Sequence, residues 1–327
     1  MMLAAWYETQ GPADQVLVVG EMPKPEPGAG EVRIRVRASG VNLGDIKKRQ
    51  GWLGSGMRYP RVIPHSDGAG EIDAVGPEAN TSLMGKRVWC HGAQSYRPFG
   101  TAAEFVCVPE RQAIHLPGSV GFEIGACLGI PGITAHRALF ADGQIDGQTI
   151  LVAGAVGTVG SIATQLAAWA GATVLGTVTR ADDVDRAKRL GAAYAFLLGE
   201  GDVASAIRRV APDGVQRIIE VALSDNAELD AAVIAQGGVI AAYASRDPDP
   251  RLPFWEMLFQ NTVVRLLGSD DFPRTAKDQA ANDINACLED ERLRVEIATR
   301  FPLNQIAAAH NAVEHPTRPG RIVVTID

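Results

Sequence analysis

The chain has no run of about 18 apolar residues, so nothing in its 327 residues reads as a membrane-spanning helix. Apolar stretches such as "IIEVAL" and "GVIAAYA" have the length of strands. Cysteine is scarce. Cys90, Cys107, Cys127 and Cys287 lie far apart and form no CxxC pair, which excludes a disulfide framework and fits reduced thiols. The histidines show no HxxxH or comparable metal spacing. Basic residues are in deficit, 31 Lys and Arg against 38 Asp and Glu, and a net charge of −7 argues against a nucleic-acid or anionic-membrane surface. The short clusters Lys47-Lys48-Arg49 and Arg208-Arg209 read as solvated helix faces. The opening "MMLAAWYETQ" lacks a charged leader followed by an apolar run, and the expectation is a soluble cytoplasmic protein.

What is present divides in two, as the length suggests. "EVRIRVRASGV" alternates Val and Ile with Arg, the period-2 signature of a half-buried strand. "GAGEIDAVG" and "GTAAEFVCVP" repeat that pattern between Gly and Pro punctuation, favouring a barrel or sandwich. Beyond about Gly121 helix and strand signals alternate: "TILVAG", "GSIATQLAAWAG", "TVLGTV", "DVDRAKRLGA", "YAFLL", "VASAIRRVAP", "VQRIIEVA", "NAELDAAVIAQGG" and "VIAAYA". Short apolar strands between amphipathic helices specify a buried parallel sheet. The expected division is a β-rich unit over 1–122, completed by the tail 269–327, and a dinucleotide-binding unit over 123–268.

The segment "ILVAGAVGTVG" places Gly154, Gly157 and Gly160 between an apolar strand and a helix. Glycine there lets backbone approach a pyrophosphate without a Cβ in the way, and the helix N-terminus offers free N–H groups. The next strand ends "GTVTR". NAD-preferring sites put an acid near this point to bind the ribose 2′-OH; here Thr179 is followed by Arg180, whose guanidinium suits a 2′-phosphate. Asp182 and Asp183 are expected at the start of the following helix. NADP(H) is the expected cofactor.

"ASGVNLGDIKKRQG" (Ala38–Gly51), "IPHSDGAGEIDAVG" (Ile63–Gly76), "GTAAEFVCVP" (Gly100–Pro109), "GIPGITAHRAL" (Gly129–Leu139) and "GAVGTVG" occur in the order found in the medium-chain dehydrogenase/reductase superfamily. Over essentially its whole length the chain resembles that superfamily's zinc-free quinone oxidoreductase branch, which includes zeta-crystallin. The resemblance implies an α/β protein in which a GroES-like β-rich catalytic domain is joined to a Rossmann domain. It implies cofactor contacts from Thr134, Ala155, Val156, Gly157, Thr158, Val159, Gly160, Thr179, Arg180, Ala244 and Arg321. Thr134 is compatible at the same time with a helix N-cap before "AHRALF".

Zinc-dependent relatives hold their catalytic metal through a Cys in "GVC" and a His in "GHE". Asn42 and Ser66 stand at the matching positions, the four-cysteine structural lobe is absent, and zinc is not expected. His65 lies one residue early, and Cys90-His91 reads as a core residue beside a surface one. Without a metal, hydride is expected to go to an acceptor that spreads negative charge, a quinone or an enone. Asn42 and Asp45 match the polar pair of the family's substrate pocket, Asn42 as donor to the acceptor oxygen and Asp45 as orienter or proton relay; both residue types also cap turns. Trp52 and Leu53 stand where relatives often carry Tyr, and Trp52 remains able to stack on a flat ring. Ala244 replaces a family glycine and Leu198 a phosphate-gripping Tyr or Arg. Trp89, Tyr96, Phe99 and Phe105 read as core or wall. "NTVVRLLGS" (Asn261–Ser269) resembles the strand through which relatives pair, implying a homodimer. The readings left open are a quinone reductase, an NADPH-dependent enone reductase, and a non-catalytic NADPH-binding sensor or structural protein.

Overall fold

Alternation of Val32, Ile34 and Val36 with arginine builds the central strand Glu31–Gly40. These aliphatic side chains enter a core shared with Ile72, Val88, Val106 and Val324. Arg33, on the opposite face, folds back onto Asp73 with Nε–Oδ1 at 2.8 Å. The strand pairs antiparallel with Asp67–Val75, from Val32 opposite Val75 to Gly40 opposite Asp67. In this computed structural model, which describes Met1–Ile326, the resulting sheet has seven strands. Six run in the order Ile297–Pro302, Arg321–Thr325, Glu31–Gly40, Asp67–Val75, Arg87–Cys90, Ala113–His115, and Phe105–Pro109 also pairs with Glu31–Gly40.

The returning tail therefore completes the first unit, with Val323 opposite Gly40 and Thr325 opposite Ala38. This unit takes in Met1–Ile130 and the segment that starts at Val295. The return comes later than residue 269 because the helix Arg274–Glu289 packs within the second unit. His136 Nε2 meets Asp283 Oδ2 at 2.7 Å, and the Gln165 amide pairs with both backbone groups of Arg294 at 2.8 and 3.0 Å.

The second unit, Pro131–Arg294, is a six-stranded parallel sheet. Its order is Tyr194–Leu197, Thr173–Val178, Thr149–Val152, Val215–Glu220, Ile234–Ala242, Val263–Leu266. That is the doubly wound dinucleotide-binding order, with its reversal beside Thr149–Val152. One boundary differs from the sequence reading. The helix expected through "NAELDAAVIAQGG" stops at Val233, and the strand begins at Ile234. The β-branched Ile234 is extended and pairs with Val215, while Gly237 takes φ +72° and shifts the register. No helix among the described residues is long and apolar enough to cross a membrane.

Candidate active site

In the first unit a buried polar cluster forms where the helix Leu43–Gln50 begins. Its N-cap is Asn42, and the Asn42 backbone N–H donates to Asp45 Oδ2 at 2.8 Å. Asp45 is buried and thus serves the helix start as half of a capping box. The Asn42 side chain, the other half of the box, also reaches into the cluster. Its Nδ2 donates to Asp67 Oδ2 at 2.7 Å, and its Oδ1 accepts from Arg321 Nη2 at 2.7 Å. A carboxylate on one side and a guanidinium on the other leave the amide one orientation, which spares one of its two N–H bonds. Arg321 Nε, also buried, has no hydrogen-bond partner among the described residues.

Asp67 was not singled out by sequence reasoning, yet the cluster is built around it. It is fully buried and accepts the Ile130 backbone N–H at 2.9 Å at the start of the helix Gly129–Phe140. A Cβ on Gly129 would lie 2.1 Å from Asp67 Oδ1, so only glycine admits the carboxyl there. Burial pushes this carboxyl up to about 7, against the hydrogen bonds from Asn42 and Ile130; the Asp45 charge raises it further and Arg321 lowers it. The signal lay in "HSDGAG", where an acid opens an apolar strand between small residues.

Other expected members of the site fall around this cluster or away from it. Trp52 and Leu53 are exposed in a short 3-10 turn, with the Lys47 ammonium 3.9 Å from the Trp52 ring centroid. Trp89 is core, whereas Tyr96 and Phe99 are exposed. Two readings are corrected. His91 is buried together with Cys90, not at the surface, and its ring lies 6.2 Å from that of Trp89. Arg49 is not a solvated helix residue but fully buried, donating to the Gly11 carbonyl and pairing with Glu314.

The second unit carries the glycine turn at the carboxyl end of Thr149–Val152. Gly154 has φ +65°, and Gly160 presses so close that its Cβ would lie 2.1 Å from the Gly154 carbonyl oxygen. Gly157, the N-cap of the helix Thr158–Trp169, is exposed with Thr158. The N–H groups of the helix's first turn have no intrahelical acceptor, which suits an anion. Ala155 is buried, its N–H spent on the Thr177 carbonyl at 3.0 Å, so it shapes the turn from inside, and Val156 is half-buried beside it. Thr179 and Arg180 are exposed just past the strand Thr173–Val178, and Asp182 and Asp183 open the next helix as expected. Thr134 lies inside the helix Gly129–Phe140, beyond its first turn; it is not the N-cap. Ala244 is half-buried and accepts the Leu223 N–H at 3.2 Å.

At the carboxyl end of Val215–Glu220, Glu220 accepts from Asn226 Nδ2 at 3.1 Å and lies against Asp230. Burial raises the proton affinity of both carboxyls, and the neighbouring Glu220 charge raises that of Asp230 further.

The donor set does not suit zinc. The residues at the metal-ligand positions offer an amide already bound on both sides and the hydroxyl of Ser66, which is buried in a segment whose carbonyl takes the Ala93 N–H at 2.9 Å. No three His, Cys, Asp or Glu side chains among the described residues come together as a metal site. All four cysteines are buried, and burial pushes the thiols of Cys90, Cys107 and Cys287 up to about 12. A dinucleotide does suit the second unit: the three glycines leave the space and the helix start leaves the donors.

Two families match the chain: the alcohol dehydrogenase GroES-like domain over residues 28–118 and the zinc-binding dehydrogenase family over residues 158–278. The human quinone oxidoreductase is 30% identical over 313 residues, covering 94% of this chain and 92% of that protein. Among solved structures, a mycobacterial quinone oxidoreductase superimposes with a TM-score of 0.87 at 25% identity, each chain fully covered. A mycobacterial relative complexed with NADPH gives a TM-score of 0.86 at 25% identity, again with full coverage of both.

Proposed function

Because the chain belongs to the medium-chain dehydrogenase/reductase superfamily, as an oxidoreductase of its quinone oxidoreductase branch, we propose that it reduces a quinone with NADPH and without zinc. The observation that carries this reading is the Asn42 amide, fixed between Asp67 and Arg321 with one N–H to spare. Bound NADPH supplies the hydride. As hydride arrives, negative charge grows on the acceptor oxygen, and a donor held in place beforehand stabilises it without reorganising. Asn42 is that donor. Arg321 behind its carbonyl oxygen polarises the amide toward a stronger donor, and Asp67 keeps the amide from turning. Asp67, fully buried, acts on the acceptor only through the amide that it orients.

The residues that would hold the cofactor are the glycine turn, whose N–H groups at Thr158, Val159 and Gly160 would take the pyrophosphate, and Arg180, which would take the 2′-phosphate. Arg180→Ala should weaken NADPH roughly ten- to hundred-fold and leave NADH nearly unchanged, read by fluorescence titration. Equal losses for both would remove the 2′-phosphate role.

The reading as a whole is tested by titrating chelator-treated protein with NADPH and then adding a 1,4-quinone. Oxidation of NADPH insensitive to further chelator is the expected result. Turnover on enones but not quinones would move the acceptor class, and binding without any turnover would leave a sensor.

The active form proposed is a homodimer. Val263–Leu266 is the edge strand of the parallel sheet, and Trp255, Phe259 and Leu266 beside it are 64%, 71% and 74% exposed. An unpaired apolar edge of this kind is covered by a second copy or aggregates. Leu266→Lys should shift the sedimentation coefficient to that of a monomer; an unaltered coefficient would place the interface elsewhere.

A further inference from the structure

Adjoining the Asp67 cluster in the same unit runs a second polar system that the proposed reaction does not use directly. Arg49 Nε donates to His310 Nδ1 at 3.3 Å. His310 Nε2 faces His65 Nε2 at 3.0 Å, the rings stacked with centroids 5.1 Å apart. His65 Nδ1 meets Ser39 Oγ at 2.8 Å, Ser39 Oγ meets Thr101 Oγ1 at 2.7 Å, and Thr101 Oγ1 donates to the Asp67 carbonyl at 2.6 Å. Arg49, His65, Ser39, Thr101 and His310 are all fully buried.

The direction of every bond follows from the two ends. Thr101 has one hydroxyl proton, and the Asp67 carbonyl takes it, so Thr101 accepts from Ser39. Ser39 has then spent its proton and must accept from His65 Nδ1. A neutral His65 therefore presents the lone pair of Nε2, and His310 must donate to it from its own Nε2–H. The remaining His310 nitrogen, Nδ1, accepts from Arg49, which has only protons to give. Both rings are neutral: burial lowers His65 to about 3, and burial with the neighbouring His65 and Arg49 lowers His310. Each link is consistent only with the next, so the chain has one proton arrangement, not two.

His65 also has φ +76°, a left-handed conformation that crowds the side chain of a non-glycine residue. Such an outlier persists where its surroundings over-determine it, and here the chain does so two residues before Asp67. We propose that Arg49, His310, His65, Ser39 and Thr101 form a one-way hydrogen-bond chain that fixes Asp67 and, through it, the Asn42 amide, which makes His65 and His310 positioning residues. The inference rests on the reduction proposed above.

Two readouts test it. In protein labelled with ¹⁵N histidine, His65 should show the Nδ1–H tautomer and His310 the Nε2–H tautomer, both neutral and unchanged between pH 8 and about 5. Ser39→Ala removes the middle link with little change of volume, and His65→Gly removes the ring while accepting φ +76°. Both variants should bind NADPH with the parental dissociation constant, keep their KM for the quinone within about three-fold and lose roughly 10- to 100-fold in kcat. Lowered melting temperatures with parental kcat would reduce the chain to a structural brace. Reversed or cationic histidines in an active protein would overturn the chain itself. A parent without turnover on any acceptor, its tautomers as described, would instead sink the functional reading and the positioning role with it.

Discussion

Asn42→Ala should lower kcat/KM for the quinone by roughly 100- to 1,000-fold, the usual cost of removing one preorganised donor to a developing oxyanion. The loss should fall on kcat, because the donor strengthens only as charge builds on the acceptor oxygen. Binding of NADPH should be unaffected, since the glycine turn and Arg180 belong to the other unit. The helix start should persist at a cost of about 1 kcal/mol, because the Asn42 half of the capping box is lost and the Asp45 half stays. Asp45 accepts a backbone N–H of residue 42, which alanine retains, and the Ile130 N–H still satisfies Asp67. A far-ultraviolet spectrum and melting curve check that point. Steady-state kinetics with a 1,4-quinone decide the rest, and a variant within about two-fold of the parent would exclude Asn42 from the reaction.

Gly157→Val should abolish NADPH binding at the concentrations that saturate the parent. The site for a side chain exists there: a Cβ on Gly157 would come no closer than 3.2 Å to the Gly154 carbonyl oxygen, so the loop itself yields slightly and folds. The branched side chain then occupies the mouth of the helix Thr158–Trp169 and covers its N–H groups. Gly160 makes a poorer test because its Cβ would collide with backbone at 2.1 Å, and loss of binding there could mean only a broken turn. Calorimetric titration measures the effect. Parental affinity in a folded Gly157→Val protein would show that no pyrophosphate lies on this turn.

Much of the architecture was legible in the sequence because it depends on neighbours in the chain. Arginine alternating with Val and Ile from Val32 to Val36 marks a strand with one apolar face, and the glycines between "ILV" and "SIATQLAAW" mark a tight strand-to-helix turn. Asn42 and Asp45 could be named from "GVNLGD", and of the two roles that motif left open, helix capping and pocket polarity, Asn42 takes part in both. Both residues belong to the capping box, and the Asn42 side chain in addition turns its amide to Asp67 and Arg321. What could not be read depends on long-range contact. Arg321 reaches Asn42 across 279 positions, and Arg49 reaches His310 across 261. Arg49 looked solvated because two lysines precede it, and nothing local announces that a histidine and Glu314 wait for it inside. Asp67 was overlooked for a different reason: "HSD" was judged as a metal motif, and the residue that failed to match a ligand was its serine, not its acid. The boundary at Val233 was missed because "AAVIAQGG" suits either state until Val215 offers a strand partner.

The four buried cysteines bear on a hazard of the proposed chemistry. Quinones and enones are electrophiles toward sulfur as well as hydride acceptors, and they arylate or alkylate thiolates, not thiols. With Cys90, Cys107 and Cys287 held near 12 and Cys127 raised as well, almost no thiolate exists at neutral pH, and burial shields the sulfur atoms from encounter. On the proposed reading, none of the four sulfur atoms is a ready nucleophile toward the acceptor.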